Sequence, residues 1–223
     1  VLAAQIVGIS YKEAVRRYKA GDPVLKDARQ LAKAAGFGFP GGLGARTFVD
    51  FAKATYGLDL DERRASELRD NWLSAYPEMR RYFDDIGAKA GKGGGSFTAV
   101  QHRSNRRRGN VGFCDGCNTF FQGLSADGAK SALYAVSREC YVTPSSPLFG
   151  SRPVAFVHDE IILESPQDKA QGAAERLSEL MVLEMKRWLP DIPVSADAHL
   201  MSRWYKDAEP VRDAAGHLIP WEP

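Results

Sequence analysis

Four glycines crowd the five residues from Gly91 to Gly95, and Ser96 follows them. Glycine loses more backbone freedom on ordering than any other residue, so neither a helix nor a strand is expected to cross this stretch. The break separates two parts with different local patterns. Before it, Pro23 suits a first helical turn, and Leu25, Ala28, Ala32 and Ala35 recur at three and four along residues 25–37. Further helical patterns cover 45–56, 60–76 and the stretch after Pro77 to about Ala90. The run Gly36 to Gly44, with Pro40 inside it, ends the first of these helices. After the break come a short β-like segment at 97–100, a basic turn, and a helix from Cys117 to about Tyr141 that Pro144 and Pro147 close off.

Val154–Val157 and Ile161–Leu163 are β-rich and separated only by His158, Asp159 and Glu160, the outline of a tight hairpin with an ionisable tip. From Asp168 to Leu189, Ala170, Ala174, Leu177, Met181, Met185 and Trp188 recur at helical spacing, predicting a long helix covering a sheet. Residues 194–200 alternate as a last strand, and the tail after Asp207 is rich in proline and charge. Helices first and strands mixed with helices later imply an α+β fold.

Composition narrows the function. Hydrophobic residues make up 44% and charged residues 26% of the 223, ordinary values that support neither a disordered nor a fibrous chain. No apolar run approaches the roughly 18 residues of a membrane crossing, and the first residues carry no basic leader. A start at Val1 suggests a processed or truncated chain. Thirty basic against twenty-eight acidic residues leave a net charge of +2, too small to announce a nucleic-acid binder in bulk. Distribution says more: Arg103, Arg106, Arg107 and Arg108 fall within six positions, as a basic cluster or as an ordinary solvated loop. Three cysteines are an odd number, which argues for a reducing, cytoplasmic compartment; Cys114 and Cys117 form one CxxC without a second pair, so no structural metal is expected there.

Two places can carry chemistry. Arg29, Lys33 and Phe37 are spaced by four, and each such step turns a helix only about 40° beyond a full circle, so the three form one stripe. Two cations and an aromatic suit a nucleoside triphosphate held end to end, with small Gly36 and Gly38 letting a nucleotide approach the backbone; an amphipathic surface helix with incidental charges has the same spacing. At the hairpin tip, a carboxylate held between hydrophobic strands is costly unless it is paired or binds a cation, which makes Asp159 a magnesium ligand or part of a merely polar turn. Glu160 points the other way unless the turn rotates it. The pattern Gly36-x-Gly38-x-x-Gly41 matches a dinucleotide fingerprint, but it follows a helix and lacks a surrounding βαβ unit, so a Rossmann site is rejected.

In order and spacing, Arg29-x-x-x-Lys33-x-x-x-Phe37, then Asn118-x-x-x-Gln122-Gly123, then Val157-His158-Asp159-Glu160 resemble the C-terminal part of A-family DNA polymerases, the DNA polymerase I group. The first block resembles motif B of the fingers and the last resembles motif C of the palm; Tyr76-Pro77 and Trp204 also match, and the wording Phe39-Pro40-Gly41-Gly42 is closest to phage-type members. The resemblance implies fingers over residues 1–112 and a C-terminal palm portion over 113–223. It implies that Arg29, Lys33 and Phe37 bind the incoming deoxynucleoside triphosphate, with Lys33, Asp159 and Glu160 catalytic. Asp159 would ligate magnesium, two ions being expected in the complete site. Primer-template DNA would meet Asn118, Gln122, His158 and the Arg103, Arg106, Arg107 and Arg108 cluster, in a bacterial or phage-infected cell.

Departures from the family pattern are equally specific. Gly41 stands where motif B has a tyrosine, and Cys114 where an arginine is usual four residues before Asn118. No hydrophobic strand leads into an Asp with a Glu five residues later, so motif A is missing and by family spacing belongs before Val1. A partner polypeptide or upstream segment carrying motif A and the thumb is therefore expected. A non-catalytic DNA-binding subunit with a polymerase-like fold is the rival reading. A single-subunit RNA polymerase would share the stripe, but Phe37 and Gln122 lean toward DNA.

Overall fold

Every helix of the first ninety residues begins or ends where its local chemistry says it must. The computed structural model describes residues 2–91 and 93–222; Val1, read above as a truncated start, and Lys92, within the glycine break, lie outside the described residues, as does Pro223. Helices α1 (Leu2–Val7), α2 (Tyr11–Lys19), α3 (Pro23–Gly38), α4 (Ala45–Tyr56), α5 (Glu62–Ala75) and α6 (Glu78–Ala90) follow one another. The Ser10 hydroxyl caps α2, the Asp22 carboxylate caps α3 with Pro23 just inside it, and the Asp61 carboxylate caps α5. Helix α4 ends at Gly57, whose φ of 66° is the left-handed conformation that glycine adopts without a Cβ penalty. The shared core is aromatic: the Phe39 ring lies 4.3 Å from that of Phe48 and 5.9 Å from that of Trp72, all buried.

Past the glycine break, β1 (Phe97–Val100) pairs antiparallel with β2 (Arg107–Val111). The basic run is therefore only partly a turn; its end is a strand. Val111 is fully buried opposite Phe97, and Ala99 is buried opposite Arg108, with a register shift between Phe97 and Ala99. Helix α7 (Phe113–Val142) begins four residues earlier than the predicted start at Cys117 and carries Gly116 in its first turn. A Cβ at Gly116 would come within 3.0 Å of Ile86 and Phe97, so close packing outweighs the helix cost of glycine there. Residues 1–101 and 105–121 constitute one compact unit, and residues 102–104 and 122–223 a second.

In the second unit, β3 (Arg152–Val157) and β4 (Glu160–Glu164) form the predicted hairpin, and α8 (Ala170–Trp188) follows a short 3-10 turn. Val136 and Cys140 of α7, Leu148, Ile161 of β4, and Ala173 and Leu180 of α8 make its core. Leu177 and Met181 pack against that core as predicted, but the most buried positions of α8 are Ala173, Ala174, Leu180 and Glu184, a wider face than the expected stripe. Buried Glu184 is satisfied by the Ser131 hydroxyl at 2.6 Å and Arg187 Nη1 at 2.7 Å.

The predicted strand over 194–200 does not form; only β5 (Leu200–Met201) is a strand. Alternation alone makes no ladder without a partner, and the Ala196 carbonyl accepts its hydrogen bond from the Ser178 hydroxyl. The tail, conversely, is ordered into β6 (Val211–Arg212) and β7 (Leu218–Trp221) in the sheet order β5-β7-β6, with β7 parallel to β5 and antiparallel to β6. The Leu218 amide donates to Gln171 Oε1 at 2.8 Å, and His199 Nδ1 donates to the Ala208 carbonyl at 2.8 Å. Among the described residues no helix is long and apolar enough to cross a membrane.

Candidate nucleotide and metal-binding elements

Helix α3 buries Leu25, Ala28, Ala34, Ala35 and Gly38, which leaves the predicted stripe on the opposite face. Arg29, Lys33 and Phe37 are all exposed, Phe37 to 59%. Neither cation has a carboxylate partner among the described residues. Arg29 instead carries its guanidinium carbon 5.4 Å from the centre of the Tyr18 ring on α2. No helical spacing links Tyr18 to the stripe, so the sequence pattern did not find it. Gly36 is open, with nothing within 4 Å of a built Cβ, as expected of a position that a ligand approaches. Gly38 differs: its Cβ would lie 2.9 Å from Phe48 Cδ2, so its smallness serves the packing of α3 on α4 and not the approach of a nucleotide.

The loop after α3 explains the two departures. A Cβ at Gly41 would come 2.8 Å from Asn118 Nδ2, so the Asn118 amide lies over the Gly41 backbone. Gly42, with φ of 78°, admits Phe113, whose Cε1 would be 2.7 Å from a Cβ there. Cys114 Sγ lies 3.8 Å from the Gly42 carbonyl oxygen. Burial raises the Cys114 thiol above its ordinary value, with Asp115 adding to it, and pushes Cys117 up to about 12, so both remain neutral thiols near pH 7. The Tyr82 hydroxyl, also raised by burial, donates to the Cys117 carbonyl at 2.8 Å.

The arginine cluster is divided. Arg108 donates from Nη1 to Thr119 Oγ1 at 3.0 Å and from Nη2 to Asp115 Oδ1 at 3.3 Å, both on α7. Arg103, with φ of 66°, belongs to the second unit, where its Nη1 donates to the Arg187 carbonyl at 3.2 Å. Arg106 and Arg107 are exposed on the way into and within β2.

At the β3–β4 tip, Val157 pairs with Glu160, leaving His158 and Asp159 as the two turn residues. His158 has φ of 56°, a left-handed conformation that histidine, with asparagine and aspartate, adopts more often than other non-glycine residues. All three ionisable tip residues are exposed. The expected carboxylate held between hydrophobic strands is thus not found: the turn carries Asp159 beyond the ladder, where water solvates it. Asp159 and Glu160 are the two carboxylates at this tip, and a hydrated magnesium ion ordinarily takes one or two carboxylates plus waters and phosphate oxygens. Among the described residues no three His, Cys, Asp or Glu side chains converge on one point. Gln122 is exposed on α7, one turn past the half-buried Asn118.

A helix with an outward Arg-Lys-Phe stripe, a glycine turn seated on a following helix, and a hairpin tipped by His-Asp-Glu define the class of protein. The chain matches the family model of DNA polymerase family A over residues 12–206, and it belongs to that family. It is 28% identical over 197 residues to DNA polymerase I of Aquifex aeolicus (strain VF5), covering 88% of this chain and 33% of the relative. It is 29% identical over 193 residues to DNA polymerase I of Bacillus caldotenax, covering 82% of this chain and 20% of that protein. DNA polymerase I A, chloroplastic/mitochondrial, of Arabidopsis thaliana is 26% identical over 199 residues, 82% of this chain and 18% of its own length. The chain spans a third or less of each of these relatives.

Proposed function

We propose that this chain is the fingers (residues 1–112) and C-terminal palm portion (113–223) of a template-directed DNA polymerase. The observation that carries the reading is the stripe of Arg29, Lys33 and Phe37, exposed on α3 with neither cation paired to a carboxylate among the described residues. A protein that only clamps DNA has no use for a nucleotide stripe. In the reaction a primer 3′ hydroxyl attacks the α-phosphorus of a deoxynucleoside triphosphate, the bond to the β-phosphate oxygen breaks, and pyrophosphate leaves.

Arg29 and Lys33 hold the triphosphate through charge-assisted hydrogen bonds, and Lys33 offsets charge on the leaving phosphates. Phe37 packs against the base or sugar. Asp159, with Glu160 beside it, holds magnesium, which when bound supplies charge neutralisation at the transferring phosphate. Asn118 and Gln122 donate to minor-groove acceptors common to all base pairs, so they monitor pairing without reading sequence. His158 lies by the primer end. Arg103, Arg106, Arg107 and Arg108 contact the phosphate backbone.

A further Asp arrives on a strand from an upstream segment or a second polypeptide that also carries the thumb. The hairpin supports this: β3 and β4 form a two-stranded sheet, so the outer edge of β3 has no strand beside it among the described residues, an edge that a further strand would cover. The cysteine count and the bacterial relatives fit a cytoplasmic setting in a bacterial or phage-infected cell. The test is primer extension on a labelled template with this chain, the upstream polypeptide, and both. Magnesium-dependent synthesis is expected only from the combination, and Asp159→Ala should abolish it while leaving primer-template affinity intact. DNA binding with no extension by any combination would favour the non-catalytic reading.

A further inference from the structure

Tyr18 is outside every motif of the nucleotide-binding reading, yet its place is heavily determined. It sits in the last turn of α2, and the turn to α3 is fixed on both sides of it. The Gly21 amide donates to the Tyr18 carbonyl at 3.0 Å, and Gly21 adopts φ of 81°. The Asp22 amide donates to the Arg17 carbonyl at 3.1 Å, and Arg17 Nε reaches the Asp22 carboxylate at 2.7 Å. That same carboxylate caps α3 through the Val24 amide at 2.9 Å. Arg17 hydrogen-bonding holds the Asp22 carboxyl below its ordinary value, so the turn stays tied at neutral pH. The result is that the backbone bearing Tyr18 is tied to the start of α3, and the Arg29 guanidinium carbon lies 5.4 Å from the centre of the Tyr18 ring.

We infer that Tyr18 is a positioning residue for Arg29, holding the guanidinium over its ring so that the in-plane N–H groups face an incoming triphosphate; the inference rests on the nucleotide role proposed for α3. A carboxylate partner would also restrain Arg29, but it would occupy the N–H donors and neutralise the charge that a phosphate needs. An aromatic face restrains the cation and spends no donor. Arginine has many rotamers to lose on binding, so restraint before binding lowers the cost of capture. Lys33, one turn further along, has no such ring among the described residues and reaches the phosphates as a mobile point charge.

The experiment measures uptake of radiolabelled dATP with magnesium by the full chain in equilibrium dialysis, for Tyr18→Ala, Tyr18→Phe, Arg29→Ala and the Tyr18→Ala/Arg29→Ala double variant. Tyr18→Ala is expected to weaken binding about two- to fivefold, the worth of an exposed cation–aromatic pair. Tyr18→Phe should restore it, since the ring and not the hydroxyl acts. In the Arg29→Ala background Tyr18→Ala should have no further effect. Thermal unfolding of Tyr18→Ala within a degree or two of the parent excludes a folding defect as the cause. An undiminished Tyr18→Ala effect without Arg29, or a Tyr18→Phe loss equal to that of Tyr18→Ala, overturns the inference. If Arg29→Ala lowers binding and Tyr18→Ala does not, the inference alone fails. If Arg29→Ala itself leaves dATP binding unchanged, the nucleotide role of α3 fails with it.

Discussion

Gly36 and Gly38 lie two residues apart in α3, and the same added methyl group should act on them with opposite sign. At Gly36 a Cβ meets nothing within 4 Å, so Gly36→Ala gains only the lower unfolded-state entropy and better helix propensity of alanine, about 0.4–1 kcal/mol. At Gly38 the Cβ would stand 2.9 Å and 3.1 Å from two carbons of the Phe48 ring and 3.3 Å from Phe51 Cδ1. Phe48 cannot swing aside: it is fully buried, with the Phe39 ring centre 4.3 Å away. Overpacking of this kind costs about 1–3 kcal/mol, and Gly38 is the last residue of its helix, where the propensity gain is smallest. The two variants should therefore differ by roughly 2–3 kcal/mol in local stability, with Gly38→Ala the weaker. Hydrogen exchange of peptides from α3 and α4 reads this directly, because about 1.4 kcal/mol is tenfold in the opening equilibrium. Equal protection in Gly36→Ala and Gly38→Ala would refute the assignment of Gly38 to packing.

Other outcomes follow from single contacts. Gly41→Ala should displace the Asn118 amide, which lies 2.8 Å from where the Cβ would be, and weaken primer-template binding while dATP affinity holds. In the second unit, Arg176 hydrogen-bonding and, more weakly, the Ser146 hydroxyl hold the Glu139 carboxyl below its ordinary value of 4.5. Because the folded-state value is the lower one, this stabilisation is complete above about 4.5 and fades as the pH falls through the folded value; Glu139→Gln should cost about 1–3 kcal/mol at pH 7 in urea unfolding and flatten the acid limb. At pH 8 iodoacetamide should label exposed Cys114 slowly and leave buried Cys117 and Cys140 untouched until unfolding, as mass spectrometry of tryptic peptides would report. Asp159→Ala should leave the melting temperature unchanged, since the exposed carboxylate holds no partner among the described residues.

Local periodicity made the helices legible: in α3 the spacing picked out buried Leu25, Ala28 and Ala35 and the stripe left outside, but Ala32 is only half-buried and buried Ala34 and Gly38 were not in the pattern. The β3–β4 hairpin was legible because two β-rich runs flank a gap too short for anything else. What spacing cannot carry is partnership across the sequence. Arg107 and Arg108 hid a strand because their charge obscured an apolar face made of only Ala99 and Val111. Residues 194–199 alternate like a strand but find no ladder, whereas Leu218–Trp221, interrupted by Pro220, finds two neighbours. The contact of Asn118 with Gly41 spans 77 positions and the Tyr18–Arg29 pair joins two helices; neither leaves a pattern in composition. Gly38 was read as room for a ligand when Phe48 occupies that room.

The tail has a consequence for how this chain can be handled. The family match ends at residue 206, so a cut made there by homology would look natural. It would strip β7 from β5, remove Ala208 and Leu218, whose exposure of only 7% and 6% shows that they are packed in, and leave Gln171 and His199 without their hydrogen bonds. Trypsin cleaving after Lys206 or Arg212 in the intact protein should be slow for the same reason. An affinity handle or fluorophore is better fused beyond Trp221 than grafted in place of the last seventeen residues, for the segment past the family match is part of what keeps the matched segment folded.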